Sequence, residues 1–309
     1  MRHLVRIVDF SNEELLALLD TAKDIISDID AFKEKLRGRI MASLFYEPST
    51  RTKLSFDAAM MRLGGQVIGY SDMQSSSIVK GETLEDTIRT VSRYSDVIVM
   101  RHFIEGTPHQ ASKVSLCPVI NAGDGKGEHP TQTLTDLLTI RSRLGRLENL
   151  ELVLCGDLKN GRTVHSLVQA LSRFTGNKFH FVAPASLKMP DYIKEGMKAG
   201  DYKEYEDIED AIRYADVLYM TRVQRERFEF IEDYFKVKDA VILNKAKLHD
   251  AKDDMIVMHP LPRVNEIDLD VDEDKRAVYF EQVEYGMYVR MALLLKLVRE
   301  SDKVKLAIR

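Results

Sequence analysis

Helical periodicity opens the chain. Ser11 stands at an N-cap position, Glu13 and Glu14 occupy the first turn, and Leu15, Leu16, Leu18 and Leu19 form an apolar stripe within residues 11–29. The period then shortens. Apolar and β-branched runs at 40–46, 67–70 and 97–100 predict strands, and the stretches after Pro48 and at 83–94 predict helices. Strands that alternate with helices predict a parallel sheet, because a parallel neighbour requires a crossover connection.

A long helical stretch at 131–145 separates this series from a second one. Strands are expected near 151–155, 179–183, 217–222, 240–243 and 255–258, with a helix from Thr163 to Phe174. Over 285–299, Met287, Met291, Leu294, Leu295 and Val298 line one helical face that needs a partner surface. The predicted class is α/β, with two domains that are each a parallel sheet flanked by helices. Residues 1–140 are expected to form the first and 141–284 the second, with a C-terminal helix at 285–305 packing back on the first. No internal repeat, low-complexity tract or flexible linker interrupts the pattern.

A length of 309 residues suits two cores. Charge adds a constraint: 45 basic and 49 acidic residues give a net charge of -4, so no overall positive field would collect nucleic acid or anionic lipid. An anionic ligand must be caught by a local cluster. Cys117 and Cys155 lie in apolar stretches without metal-ligand spacing, which argues against a disulfide framework or a zinc site. The first residues lack a signal-peptide apolar core, and no uninterrupted apolar run exceeds five residues, far below the roughly 20 residues that span a bilayer. A cytoplasmic protein is expected.

Ligands of α/β sheets gather outside the carboxyl ends of the strands. After the strand at 40–46 come Ser49, Thr50, Arg51 and Thr52, leading into an amphipathic run that Gly64 and Gly65 close. A helix N-terminus offers unpaired N–H groups and a positive dipole end, and hydroxyls plus an arginine fork suit a phosphate dianion. The plainer reading makes Ser49 or Thr50 an N-cap only. Arg101 ends the strand at 97–100, as a binding cation or an ordinary surface arginine. Asn121 to Gly125 reads as a tight glycine turn, before His129, Pro130, Thr131 and Gln132 open the long helix. His129 and Gln132 can face one point, and a neutral imidazole at a helix start can polarise a carbonyl. His129 can equally be a capping or packing residue.

In the second half, Cys155-Gly156-Asp157 turns into a helix, but the G-x-G-x-x-G spacing is absent and nicotinamide binding is rejected. If the strand ending in Thr221 stays extended, Arg222 and Gln224 point to the same side, and Arg162 and Arg222 can hold carboxylates. His259-Pro260-Leu261-Pro262-Arg263 is a proline-stiffened loop whose carbonyls can accept from an amine, or simply a stiff turn.

These segments, in order over essentially the whole chain, resemble the aspartate carbamoyltransferase family. The resemblance rests on Pro48 to Thr52, Lys80-Gly81-Glu82, Arg101-His102, His129 to Gln132, Gly161 to Ser166, Thr221 to Gln224 and His259 to Arg263. Ornithine-specific relatives share Ser-Thr-Arg-Thr but usually carry His-Cys-Leu-Pro where this chain has His259-Pro260-Leu261-Pro262. The resemblance implies carbamoyl phosphate and L-aspartate as substrates and no cofactor or metal. Ser49, Thr50, Arg51, Thr52 and Arg101 would hold the phosphate. His129, Gln132 and the backbone of Leu261 and Pro262 would surround the carbamoyl group. Arg162, Arg222 and Gln224 would take aspartate, with Ser77 and Lys80 reaching into a neighbouring subunit's site. A homotrimer is thereby implied, with or without separate regulatory chains.

Catalytic roles are expected for Arg51, Thr52, Lys80, Arg101, His129 and Gln132. Two departures stand out: Phe103 to Pro108 replaces a Pro-x-Glu-Gly-Ala-Ala loop, and Glu128 replaces glutamine, an acid that can raise the His129 pKa. Two other readings stay open, transfer to a different amine such as ornithine, and a non-catalytic phosphate-ligand sensor.

Overall fold

A computed structural model describes residues 1–71, 81–198 and 200–308. The chain divides into two compact units, 1–138 with 284–309, and 139–283. The first contains α1 (Asn12–Ser27), β1 (Ile40–Phe45), α2 (Thr50–Arg62), β2 (Gln66–Tyr70), α3 (Leu84–Val91), β3 (Val97–His102), α4 (Thr107–Val114) and β4 (Val119–Asp124). Helix α5 (Pro130–Leu144) runs from the first unit into the second. There follow β5 (Glu151–Cys155), α6 (Arg162–Leu171), β6 (Lys178–Val182), α7 (Asp191–Lys194), β7 (Tyr202–Tyr205), β8 (Val217–Met220), α8 (Ile231–Val237) and β9 (Ile256–Met258). Helix α9 (Tyr279–Ile308) begins in the second unit and continues into the first.

Both sheets are parallel, and strand pairing within each reads β2-β1-β3-β4 and β7-β6-β5-β8-β9. The central strands are buried almost throughout, as parallel strands covered on both faces must be. Ala42, Leu44, Ile98, Met100 and Val119 pack with Ile88 and Ala111 in the first unit. Val153, Leu218, Met220 and Val257 pack with Ile208, Ile212 and Val271 in the second.

Local chemistry explains the element ends. The Ser11 hydroxyl accepts from the Glu14 N–H and the Glu14 carboxylate accepts from the Ser11 N–H, which satisfies two orphan donors at the start of α1. Gly69 lies in β2 at φ 141, directly opposite Ser43 of β1, and a Cβ there would run into the Ser43 carbonyl. Glycine is required at that point.

Three expectations need correction. The run at 240–243 is not a strand, and only Leu243 pairs, as an isolated bridge to Ile267. Asn121 to Asp124 is not a turn but the carboxyl half of β4. Its polar side chains are satisfied locally: Asn121 Nδ2 donates to the Val5 carbonyl and to Asp124, and its Oδ1 accepts from Gly123 N–H. The short edge strand β7, with Lys203 and Glu204 exposed, escaped the hydrophobic pattern altogether. Both cysteines are buried and neither forms a disulfide. Among the described residues no helix is long and apolar enough to cross a membrane.

Candidate active site

Strand order fixes where each sheet can open a crevice. In the first unit the chain leaves β1 for β2 on one side and returns to β3 on the other, so the carboxyl ends of β1 and β3 form a topological switch point. The paired residues there are Phe45 and Arg101. In the second unit the same reversal falls between β5 and β8, next to the paired residues Cys155 and Met220. The candidate residues on the first turns after these strands are Ser49 to Thr52 with Arg101, and Arg162 with Arg222 and Gln224.

At the first switch point, Ser49 is the N-cap residue of α2 but makes no side-chain capping bond there. Thr50 and Arg51 are exposed in the first turn and Thr52 is buried. The Arg101 guanidinium pairs with Glu47 at 3.0 Å and donates to the Ala122 carbonyl. Sequence reasoning missed Glu47, although an acid directly before Pro48-Ser49-Thr50-Arg51 is the signal that would have raised it. His102 follows Arg101 on β3 and is buried. Its Nδ1 accepts from Ile104 N–H, and burial lowers its pKa against the pull of Asp124 and Glu47.

His129 is buried just before α5, its Nδ1 3.4 Å from the Thr131 hydroxyl, and Gln132 Nε2 donates to the fully buried Asp136 carboxylate at 2.8 Å. Glu128 does not join this pair. Its carboxylate accepts from Ile7 N–H at 2.9 Å, and burial raises its pKa despite that bond and the charge of Arg6. The substituted loop after His102 is closed by Gly106 N–H donating to Asp124 and Thr107 Oγ1 donating to the Ile104 carbonyl. Ser77 and Lys80 lie outside the described residues.

At the second switch point, Arg162 opens α6 after Gly161, whose missing Cβ leaves room for the Asp157 carbonyl. Asp157 is fully buried and its carboxylate accepts from Asn160 and from Gln224 N–H, tying the two loops together. Burial raises its pKa, and those donors oppose the rise. Arg222 and Gln224 have different partners: Arg222 forks onto Glu226, and Gln224 Nε2 donates to the Asn160 carbonyl. Glu226, four residues beyond Arg222, was another acid that pattern reading passed over.

The proline loop is held by groups no pattern announced. Leu261 has φ 52 and is joined to Pro262 by a cis peptide bond. His259 Nδ1 accepts from Leu261 N–H at 2.7 Å, so the ring proton sits on Nε2, which donates to Glu266 Oε1 at 2.6 Å. Glu266 Oε2 accepts from the N–H groups of Val264 and Asn265. Burial lowers the His259 pKa, although Glu266 pulls it upward. Burial also pushes Glu266 up, but the bond to His259 and the loop N–H groups outweigh it and hold the acid low. Leu261 therefore keeps an unfavourable backbone conformation because its N–H has a fixed partner.

Two parallel sheets, each with arginines at its switch point, define the class as a two-unit α/β protein. Comparison with known proteins narrows the class. Residues 2–142 match the aspartate/ornithine carbamoyltransferase carbamoyl-P binding domain, and residues 148–297 match the Asp/Orn binding domain of the same family. The aspartate carbamoyltransferase catalytic subunit of Clostridium novyi is 56% identical over 299 residues, covering 96% of this chain and 98% of its own. That of Clostridium botulinum is 57% identical over 300 residues, with the same coverage. Among solved structures, the catalytic subunit of M. jannaschii aspartate transcarbamoylase has a TM-score of 0.90 at 48% identity, covering 97% of this chain and 99% of that one. The Trypanosoma cruzi aspartate transcarbamoylase in complex with carbamoyl aspartate and phosphate has a TM-score of 0.90 at 43% identity, with 96% of each chain covered. The chain belongs to the aspartate/ornithine carbamoyltransferase family.

Proposed function

We propose that this chain transfers the carbamoyl group of carbamoyl phosphate to the amino group of L-aspartate, giving N-carbamoyl-L-aspartate and phosphate, the committed step toward pyrimidines. The observation that carries this reading is the pair of switch points, each furnished with arginine, in a chain that matches aspartate carbamoyltransferase catalytic subunits over nearly their full length. His259-Pro260-Leu261-Pro262, without the cysteine usual in ornithine enzymes, supports aspartate over ornithine.

In this reading the first turn of α2, with Ser49, Thr50, Arg51 and Thr52, grips the phosphate together with Arg101. Phosphate binding then competes with Glu47 for the Arg101 guanidinium. His129, Gln132 and the backbone of Leu261 and Pro262 surround the carbamoyl group. Arg162, Arg222 and Gln224 receive aspartate. The uncharged amine attacks the carbamoyl carbon, and Arg51, Thr52 and His129 stabilise the oxygen charge that grows before the C–O bond to phosphate breaks. A hydrogen bond from Thr131 to His129 Nδ1 would leave the proton on Nε2, the form that donates to a developing oxyanion. Catalysis then consists of positioning and electrostatics.

Ser77 and Lys80 are assigned to the site of a neighbouring subunit in a cytoplasmic homotrimer, alone or with regulatory chains. Turnover of carbamoyl phosphate with aspartate, and not with ornithine, is the expected result of a steady-state assay on purified protein. Strong carbamoylation of ornithine without aspartate would overturn the assignment, and phosphate binding without turnover would favour a sensor. Native mass of the purified protein tests the trimer.

A further inference from the structure

Arg290 lies on α9 in the first unit and is 5% exposed. Its Nη1 donates to Ser55 Oγ at 2.9 Å, and its guanidinium carbon stands 5.2 Å from the centroid of the Phe56 ring. Both partners are on α2, three and four residues beyond Thr52. On the α5 side the charge is felt by Asp136: burial pushes the Arg290 pKa down to about 10, and the Asp136 carboxylate opposes that fall. Asp136 is the residue that accepts from Gln132.

Room for the guanidinium is made by Gly286, one turn earlier on α9. A Cβ at Gly286 would stand 2.6 Å from Arg290 Nη1 and 3.1 Å from Thr135 Oγ1 of α5. A glycine inside a helix gives up helix-forming tendency relative to alanine, so this position favours close packing over intrinsic stability. Burying the charge is also costly, since Arg290 Nε has no hydrogen-bond partner among the described residues. Apolar side chains often fill such slots with equal or greater stability. What an aliphatic residue cannot supply is a directional link between two helices.

We propose that Arg290 is a positioning residue, which fixes the phosphate-binding end of α2 against the Gln132 end of α5 so that Thr52 and Gln132 meet one phosphorylated ligand. The assignment of that ligand rests on the reading given above. In this role Arg290 acts through Ser55 and Phe56 on α2. Sites of this kind lose efficiency when their parts shift by about half an ångström.

The test compares Arg290→Lys and Ser55→Ala with the parent chain, varying carbamoyl phosphate and aspartate separately, alongside calorimetric binding of inorganic phosphate and thermal unfolding. Loss of one hydrogen bond to a charged group should raise the KM for carbamoyl phosphate and the Kd for phosphate about tenfold in Arg290→Lys, and roughly threefold in Ser55→Ala. The aspartate KM should stay within about twofold, because none of these groups belongs to the second unit. If Arg290→Lys fails to fold, Ser55→Ala decides alone. A lower Tm with unchanged KM and phosphate affinity in the folded variants would show a purely structural arginine and overturn the proposal. A parent chain that binds phosphate in an Arg290-dependent way, yet fails to carbamoylate aspartate, would overturn the functional reading and leave this inference standing.

Discussion

Replacing Glu266 with glutamine removes one acceptor from a buried position that uses two. Glu266 is 3% exposed, with Oε1 facing His259 Nε2–H and Oε2 facing the N–H groups of Val264 and Asn265. A glutamine carbonyl can serve only one side. If it faces His259, the new NH2 group meets two backbone donors. If it faces the loop, the NH2 group meets Nε2–H, and the imidazole can yield only by moving its proton to Nδ1, where Leu261 N–H already donates. Every arrangement leaves a buried donor unpaired. A charge-assisted bond contributes about 1.5–3 kcal/mol and an orphaned donor costs about 1–3 kcal/mol, so a loss of about 3 kcal/mol is expected for Glu266→Gln. For a unit of this size that lowers the Tm by roughly 6–12 °C. Differential scanning calorimetry measures it. Because the Leu261 carbonyl is aimed by the same bonds, kcat/KM for carbamoyl phosphate should fall about tenfold. A Tm within about 1 °C of the parent and kcat/KM within about twofold would refute the idea that this pair holds the loop.

Three further outcomes are expected. Arg51→Ala should lower kcat by roughly 10²–10³, as loss of a charge contact strongest in the transition state does, and unchanged kcat would mean the helix-start site is misassigned. Stability should fall with acid: His259 has a folded pKa below its ordinary 6.5, so the unfolded chain takes up a proton first as pH drops below 6.5. Glu266 also has a lowered folded pKa, so its contribution, present above 4.5, is lost as pH falls through the folded value. Urea midpoints at several pH values check both, and a midpoint that stays flat below 6.5 would contradict them. Gly69→Ala should destabilise by about 3 kcal/mol or more, since it forces a side chain into a left-handed conformation against the Ser43 carbonyl, and wild-type thermal unfolding would remove that claim.

Much of the fold is legible wherever a local rule decides it. The capping box at Ser11 and Glu14, the buried apolar strands β1 and β3, and the glycine stop after α2 each depend on neighbours a few residues apart. The run at 240–243 has strand composition, but pairing depends on a partner edge, and only Leu243 finds one. The polar half of β4 was misread because Asn121 and Asp124 satisfy one another and Val5, an arrangement that needs the N-terminal segment alongside. The candidate arginines were visible by type and place. Their acidic counterparts Glu47 and Glu226 were not weighed, and the supports for the proline loop had no signature. A carboxylate that closes a loop through His259, or an arginine bonded to a serine on another helix, is chosen by three-dimensional neighbours far apart in the chain.

The first unit is assembled from two stretches of chain with the whole second unit between them. Its later stretch is α9, which brings the buried Leu293, Leu294 and Val298, and ties to the earlier stretch through Arg39 with Asp302 and Arg290 with Ser55. During translation these residues emerge after residues 139–283. At about 5–20 residues per second that interval is on the order of ten seconds. For that time the nascent first unit carries an uncovered apolar surface, while the contiguous second unit has all its parts and can close first. The unit begun first is thus the one finished last, and α2 must wait for α9 before it acquires the Arg290 contact.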